Sequence, residues 1–311
     1  MISSCLITGA TGFIGHHLYR WMSKQGETVR CAVRRPSQAF ADAVEVGEIH
    51  GETDWRQALV GVDTVIHLAA RAHVLKETSR DPLVEFRRVN VEGTLRLAEQ
   101  MIEQGCRRLI FVSTIGVNGD STSVDRPFTE LSPPAPHMPY AVAKWEAEKQ
   151  LQQLKDQLEI VIVRPPLVYG ANAPGNFGRL VRYVKRGIPL PLGSACNRRS
   201  FVAVQNLCDF LSCCVYHPAA VGETFLISDG EDLSTPELLR CLGTTFNRPV
   251  RLLPVPEILL RLPLRAAGRE RLVNQLFGSL VVDSSKARTT LDWTPPLSVN
   301  QALAKLRDVA V

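Results

Sequence analysis

The sequence predicts an α/β protein built on a doubly wound parallel sheet, with a smaller, mainly C-terminal α/β region for substrate. Three observations predict it. Short apolar runs alternate with helical periodicity through the first half of the chain. These runs are apolar over most of their length rather than alternating, as strands covered on both faces require. After Arg164 the rhythm breaks into Pro-, Gly- and Asn-rich segments, where long loops belong. With 311 residues, 45% of them hydrophobic and 22% charged, the chain can bury a substantial core.

Taken in order, "CLIT", "VRCAV", "DTVIHLAA", "RLIFVST" and "EIVIVR" read as buried strands. Between them, "HHLYRWMSKQG" and "TLRLAEQMIEQG" carry helical spacing and close on Gly26 and Gly105, which can adopt the left-handed conformation that ends a helix. "PPLVYGANAPGNFG" and "GIPLPLGSACN" read as loops. "VQNLCDFLSCCVYH" then reads as a helix and "ETFLIS" as a strand returning to the sheet. "STPELLRCLGTTFN" opens a C-terminal helical region, with Ser234 or Thr235 as N-cap and Pro236 in the first turn. "VPEILLRLPLRAAGRERL" reads as a packed helix of that region, with a peripheral amphipathic helix as the alternative.

The formal charge of +5 comes from 36 basic against 31 acidic residues, scattered as pairs with no long run. Such a surface suits anionic small molecules and lends no support to nucleic-acid binding. Cysteines 5, 31, 106, 196, 208, 213, 214 and 241 form no CxxC pair and no Cys/His spacing suited to zinc. Reduced, mostly buried thiols and no metal are therefore expected. The opening "MISSCLITGATGFIG" has no basic n-region, and no apolar run approaches a membrane span, so a cytoplasmic protein is expected.

The chemistry begins at "TGATGFIG". Gly9, Gly12 and Gly15 follow the first strand and open a helix. The first permits a tight turn, the second lets backbone N–H groups approach a pyrophosphate, and the third lets helix and strand pack closely. This context points to a Rossmann-type dinucleotide-binding domain over residues 1–165, with 200–228 returning to it. Residues 166–199 and 229–311 are left for the substrate. An acidic residue usually ends the second strand and holds the adenosine ribose, but here Arg34 and Arg35 stand in its place. Guanidinium groups suit a 2′-phosphate, which favours NADP, while an arginine stacked on adenine or turned to solvent leaves NAD open. Glu48 is a candidate partner of the adenine amino group.

"RLIFVSTIGVNG" ends a strand with Ser113 and Thr114, at the edge where such folds bind ligands. Downstream, Tyr140 and Lys144 in "YAVAK" share one face of a helix. A phenol is a poor base at neutral pH, and a fixed ammonium beside it favours the phenolate. Lys144 is thus expected to bring Tyr140 into the range of general acid-base work. A half-buried tyrosine beside a snorkelling lysine is the bland alternative.

A glycine turn, a Ser/Thr-ended strand and YxxxK, in this order, form the pattern of the short-chain dehydrogenase/reductase superfamily. The chain resembles its extended branch, the NAD-dependent epimerase/dehydratase family. "VIHLAA", "VNVEGTLRL", "VRPPLVYG" and "SKARTTLDWTPP" extend the resemblance over nearly the whole length. It implies Tyr140 as the acid-base residue, Lys144 as its partner and holder of the nicotinamide ribose, and Thr114 as hydrogen-bond donor to the reacting oxygen, with Ser113 beside it. It further implies cofactor contacts from Thr11, Phe13 and Ile14 of the glycine turn, from Leu68, Ala69 and Ala70, from Asn90 and from Pro166. Asn176 and Arg199 resemble residues that meet a nucleotide diphosphate. A second arginine before "DSSKA" is missing, with Arg269 or Arg271 as substitutes, and Asn118 stands where an aromatic is common. No Asp-Glu pair follows Thr114, which argues against dehydration.

"HLAARAHV", "NVEGTLRL" and "LPLGSACNRRSFVAVQNL" are most similar to a subgroup of sugar 4-reductases and 4-epimerases serving polysaccharide synthesis. The resulting expectation is reduction of a UDP-4-keto-6-deoxy-N-acetylhexosamine. The alternatives are a UDP-hexose 4-epimerase, a 3β-hydroxysteroid-type dehydrogenase and a non-catalytic NADP-sensing regulator. Relatives commonly dimerise through the two helices that here carry Leu95, Met101, Trp145 and Leu151, so a homodimer is expected, although core packing explains these residues equally well.

Overall fold

The computed structural model describes residues 4–72, 81–266, 268 and 270–307. The strands are β1 (Cys5–Thr8), β2 (Val29–Val33), β3 (Ala43–Glu45), β4 (Thr64–His67), β5 (Arg108–Val112), β6 (Glu159–Arg164), β7 (Leu167–Tyr169), β8 (Phe201–Ala203) and β9 (Thr224–Leu226). Seven form one parallel sheet in the order β3-β2-β1-β4-β5-β6-β9, and β7 and β8 pair separately, also in parallel. The order reverses between β1 and β4, and in such sheets the crevice at the carboxyl ends beside the reversal is the ligand site.

The helices are α1 (Phe13–Lys24), α2 (Arg56–Leu59), α3 (Pro82–Arg87), α4 (Gly93–Glu103), α5 (Pro139–Gln152), α6 (Gly175–Lys185), α7 (Val204–Tyr216), α8 (Thr235–Thr245), α9 (Glu257–Ala266), α10 (Glu270–Phe277), α11 (Ser285–Leu291) and α12 (Val299–Ala304). Successive strand residues point to opposite faces. Cys5 and Ile7 therefore join the core under α1, α7 and α11, and Leu6 joins the core under α4 and α5. A third core forms the second unit, around Tyr169, Phe177, Phe201, Leu239 and Leu303.

Gly26 and Gly105 follow their helices with φ of +80° and +70°. Ser234 caps α8, and Glu237 returns a bond to the Ser234 N–H, so the predicted start holds. The segment read wholly as loop after Arg164 holds β7, three residues long, whose partner β8 lies more than thirty residues downstream. Met101 and Leu151, left open by the sequence between a dimer face and the core, are fully buried in the core beneath α4 and α5, so of the two it is the core that takes them. Leu95 and Trp145 keep partial exposure. α9 is not buried at any residue, so the expectation of a packed helix holds only for the side that Leu260 and Leu264 lean inward.

Candidate active site

The glycine turn shows what each glycine is for. Gly9 has φ of +69°, and a Cβ there would lie 2.7 Å from the Ala69 nitrogen. A Cβ on Gly15 would lie 2.3 Å from the Gly9 carbonyl oxygen, so only glycine lets α1 start this close to β1. Gly12 is the N-cap of α1; it offers no side-chain cap, and no acidic residue sits in the first turn. The first N–H groups of α1, around Phe13 and Ile14, are thus left for an anion, in keeping with a pyrophosphate. Thr11 and Gly12 are exposed at the mouth.

Leu68, Ala69 and Ala70 leave β4 beside this turn. Thr8 Oγ1 accepts from the Ala69 N–H at 3.2 Å and pairs with His67 Nδ1 at 2.7 Å. The other ring nitrogen of His67 meets Thr94 Oγ1 at 3.0 Å, and burial pushes its pKa down to about 3, with Lys144 adding to the effect. Neutral His67 thus ties β1, β4 and α4 together behind the site. Asn90, fully buried in a π-helical turn over Arg88–Glu92, accepts from the Arg71 N–H at 2.9 Å and donates to the Arg71 carbonyl at 3.0 Å. Its amide therefore clips the loop after β4.

Past the end of β2, Arg34 reaches Glu48 at 3.6 Å, and both side chains are two-thirds exposed. Arg35 is exposed beside it. Glu48 lies three residues beyond the end of β3 and faces the arginine expected to take a 2′-phosphate.

Past the end of β5, the candidate groups Thr114, Tyr140 and Lys144 come together. Thr114 caps a short 3-10 turn, its Oγ1 accepting from the Gly116 N–H at 3.2 Å. A Cβ on Gly116 would lie 3.2 Å from the Ala141 Cβ, which shows how closely the first turn of α5 approaches Thr114. Pro139 opens α5, and Tyr140 follows with its ring edge-on to Phe86, centroids 6.1 Å apart. Lys144, one turn on and 1% exposed, donates from Nζ to the Val112 carbonyl at 2.8 Å and lies 4.1 Å from the centre of the Phe111 ring. Ser113 is buried, and its Oγ meets no partner among the described residues. An orphaned hydroxyl at the carboxyl end of β5, on the same sheet edge as an uncapped helix start and a glycine cradle two strands away, fits a nicotinamide dinucleotide.

Burial sets the electrostatics. It pushes Tyr140 up to about 12 and Lys144 down to about 7, with Glu148 opposing the fall of Lys144. The expected lowering of Tyr140 by Lys144 is not seen in this state, because desolvation dominates and the ammonium points to the Val112 carbonyl. Beneath Lys144, the buried Glu148 receives two nitrogens of Arg164, at 2.5 and 3.0 Å. Arg164 also donates to Asn118 Oδ1 at 3.0 Å, and Asn118 donates to the Thr129 carbonyl at 3.2 Å. The sequence reading passed over this chain of buried polar groups. The signal was present: Glu148 continues the Tyr140–Lys144 face by one more turn.

Pro166 is buried after β6. Asn176, second residue of α6, donates to Gln275 of α10. Arg199 donates from Nη1 to the carbonyls of Asn274 and Gly278, at 3.2 and 2.9 Å, and burial pushes its pKa down. Both residues thus converge on the last turn of α10. Arg269 and the side chain of Arg271 lie outside the described residues.

The profile of the NAD dependent epimerase/dehydratase family matches residues 5–228, the span that holds the glycine turn, Thr114, Tyr140, Lys144, Asn176 and Arg199. The chain belongs to the NAD-dependent epimerase/dehydratase family. A UDP-glucose 4-epimerase of Vibrio cholerae is 42% identical over 306 residues, covering 97% of this chain and 93% of that one. An N-acetyl-alpha-D-glucosaminyl-diphospho-ditrans,octacis-undecaprenol 4-epimerase of Escherichia coli O157:H7 is 25% identical, covering 82% and 76%. The crystal structure of a UDP-glucuronic acid 4-epimerase from Bacillus cereus in complex with NAD shares the fold, with a TM-score of 0.76 at 22% identity over 98% and 97% of the two chains. The protein is therefore an enzyme of the epimerase/dehydratase type. No described helix is long and apolar enough to cross a membrane.

Proposed function

We propose that the protein epimerises a UDP-linked hexose at C4 through a transient 4-keto sugar. The observation that carries this reading is the convergence of Thr114, Tyr140 and Lys144 at the end of β5, beside a glycine cradle shaped for a dinucleotide. A nicotinamide dinucleotide, when bound, supplies the acceptor and then the donor of the C4 hydride. Tyr140 takes the C4 hydroxyl proton as the hydride leaves and returns it after the keto sugar turns its other face. Thr114 hydrogen-bonds the same oxygen. In this state Tyr140 is a protonated phenol, and its work as a base requires positive charge close by, which Lys144 is placed to bring once its amine leaves the Val112 carbonyl. Asn176 and Arg199 meet the diphosphate next to α10.

The Arg34–Glu48 contact supports NAD as the resident cofactor, since a 2′-phosphate would have to displace or face the Glu48 carboxylate. The second reading, reduction of a UDP-4-keto-6-deoxy-N-acetylhexosamine by NADPH, is favoured by the second exposed guanidinium, Arg35. One experiment separates the two. The protein is incubated with UDP-glucose or UDP-N-acetylglucosamine and the products are resolved by chromatography. Formation of the C4 epimer without net change in nicotinamide absorbance supports epimerisation. No epimer, together with stoichiometric loss of NADPH on the 4-keto-6-deoxy sugar, replaces it with reduction. A homodimer through α4 and α5, using the partly exposed Leu95 and Trp145, remains part of the proposal.

A further inference from the structure

The second unit leaves one helix half covered. Leu260 and Leu264 of α9 lean on the apolar core, while Ile258, Leu259 and Leu262 on the other side are 62%, 62% and 59% exposed. Leu253, in the segment leading to α9, is 48% exposed and extends the patch. A helix apolar on both sides calls for a second apolar medium, and the described residues supply only one.

The charge around the patch says which medium. Residues 240–265 hold five arginines, at 240, 248, 251, 261 and 265, against one acidic residue, Glu257; this segment therefore carries four of the chain's net +5. Glu257 is taken by Arg261 at 2.8 Å. Arg248 and Arg251 are exposed. A second copy of the chain docking here by two-fold symmetry would bring arginines against arginines. An anionic surface with an apolar layer beneath it satisfies both halves of the pattern.

We propose that this face docks on an anionic lipid bilayer, with α9 lying in the headgroup plane, its leucines down and the flanking arginines on lipid phosphates. The helix is ten residues long, enough to anchor reversibly and too short to span. α9 packs on α10, where Asn176 and Arg199 converge, so docking sets the diphosphate end of the site against the membrane surface. Docking holds whichever reaction the site performs.

The test is co-sedimentation with vesicles of phosphatidylglycerol and phosphatidylethanolamine, against vesicles of phosphatidylcholine alone, at near-physiological salt. The expected result is at least about tenfold stronger partitioning onto the anionic vesicles. Leu259→Gln/Leu262→Gln, at exposed positions, should keep the parent's melting temperature and lose about tenfold or more of the binding. Should that variant fold poorly, Arg248→Gln/Arg251→Gln should weaken binding and flatten its salt dependence. The proposal is overturned if the parent protein stays in the supernatant with anionic vesicles, if it binds neutral ones equally, or if the variants bind as the parent does. It is equally overturned if the leucine variant dissociates an oligomer while the parent ignores vesicles, for then the face seats a second copy.

Discussion

Lys144→Met should make the protein more stable and inactive at once. The folded site holds Lys144 at about 7 against an ordinary value of 10.5. At about 1.4 kcal/mol per pKa unit, burying the ammonium costs roughly 5 kcal/mol. Methionine fills the same volume without that cost, and since the bond to the Val112 carbonyl and the contact with Phe111 already act within the shifted value, the expected net effect at acid pH is a gain of a few kcal/mol at most. Its pH dependence follows from the sign of the shift. Below about 7 the lysine is charged in both folded and unfolded chains, so the cost is present in full. From about 7 to 10.5 only the unfolded chain holds the proton, and the cost fades as pH rises. Urea denaturation of parent and variant, without nucleotide, at pH values from about 6 to about 10 reads this directly, because titrations that Lys144 does not influence cancel in the difference. A variant less stable than its parent at about pH 6, or a difference that does not change with pH, would refute the reasoning.

Three further outcomes are expected. Tyr140→Phe should lower turnover by about 10²- to 10⁴-fold while dinucleotide affinity, followed by nicotinamide fluorescence, stays within about twofold. Gly15→Ala puts a methyl 2.3 Å from a main-chain oxygen and should cost about 1–3 kcal/mol in thermal unfolding and weaken dinucleotide binding. Arg164→Met leaves the buried Glu148 carboxylate without its partner and should cost about 3–5 kcal/mol, far more than removing the exposed Arg56–Asp54 pair, which should change the melting temperature little.

The parts of the fold written in local chemistry were legible. β1, β2 and β6 coincide with their apolar runs because strands covered on both faces must be apolar over most of their length. Ser234, Gly26 and Gly105 announced helix ends for reasons confined to a few residues. β7 was hidden because its partner is distant and its surroundings read as turns. Met101 and Leu151 were ambiguous because helix periodicity names an apolar face without saying whether core or partner covers it. In the site, Tyr140, Lys144 and Thr114 were visible as spacing. The Glu148–Arg164–Asn118 chain was not, because charges usually lie outside and only the assembled packing shows these buried. Arg34 was seen without the carboxylate that the fold sets against it.

α11 and Trp293 belong by sequence to the far end of the chain, yet Ala287, Leu291 and Trp293 pack in the same core as Cys5 and Ile7 of β1, and the Trp293 indole donates to Asp209 at 2.7 Å. α11 packs on β9, and Trp293 meets Phe210, whose ring meets Phe225 of β9, so that end of the sheet waits for nearly the last helix before its face is sealed. Every pairing in the main sheet is parallel and closes a long loop, so little of this protein can settle early. A chain released before about residue 293 would carry the glycine turn and the candidate Thr114–Tyr140–Lys144 site on a sheet whose β9 end is uncovered, and a chaperone holding that end would be holding the sheet that carries them.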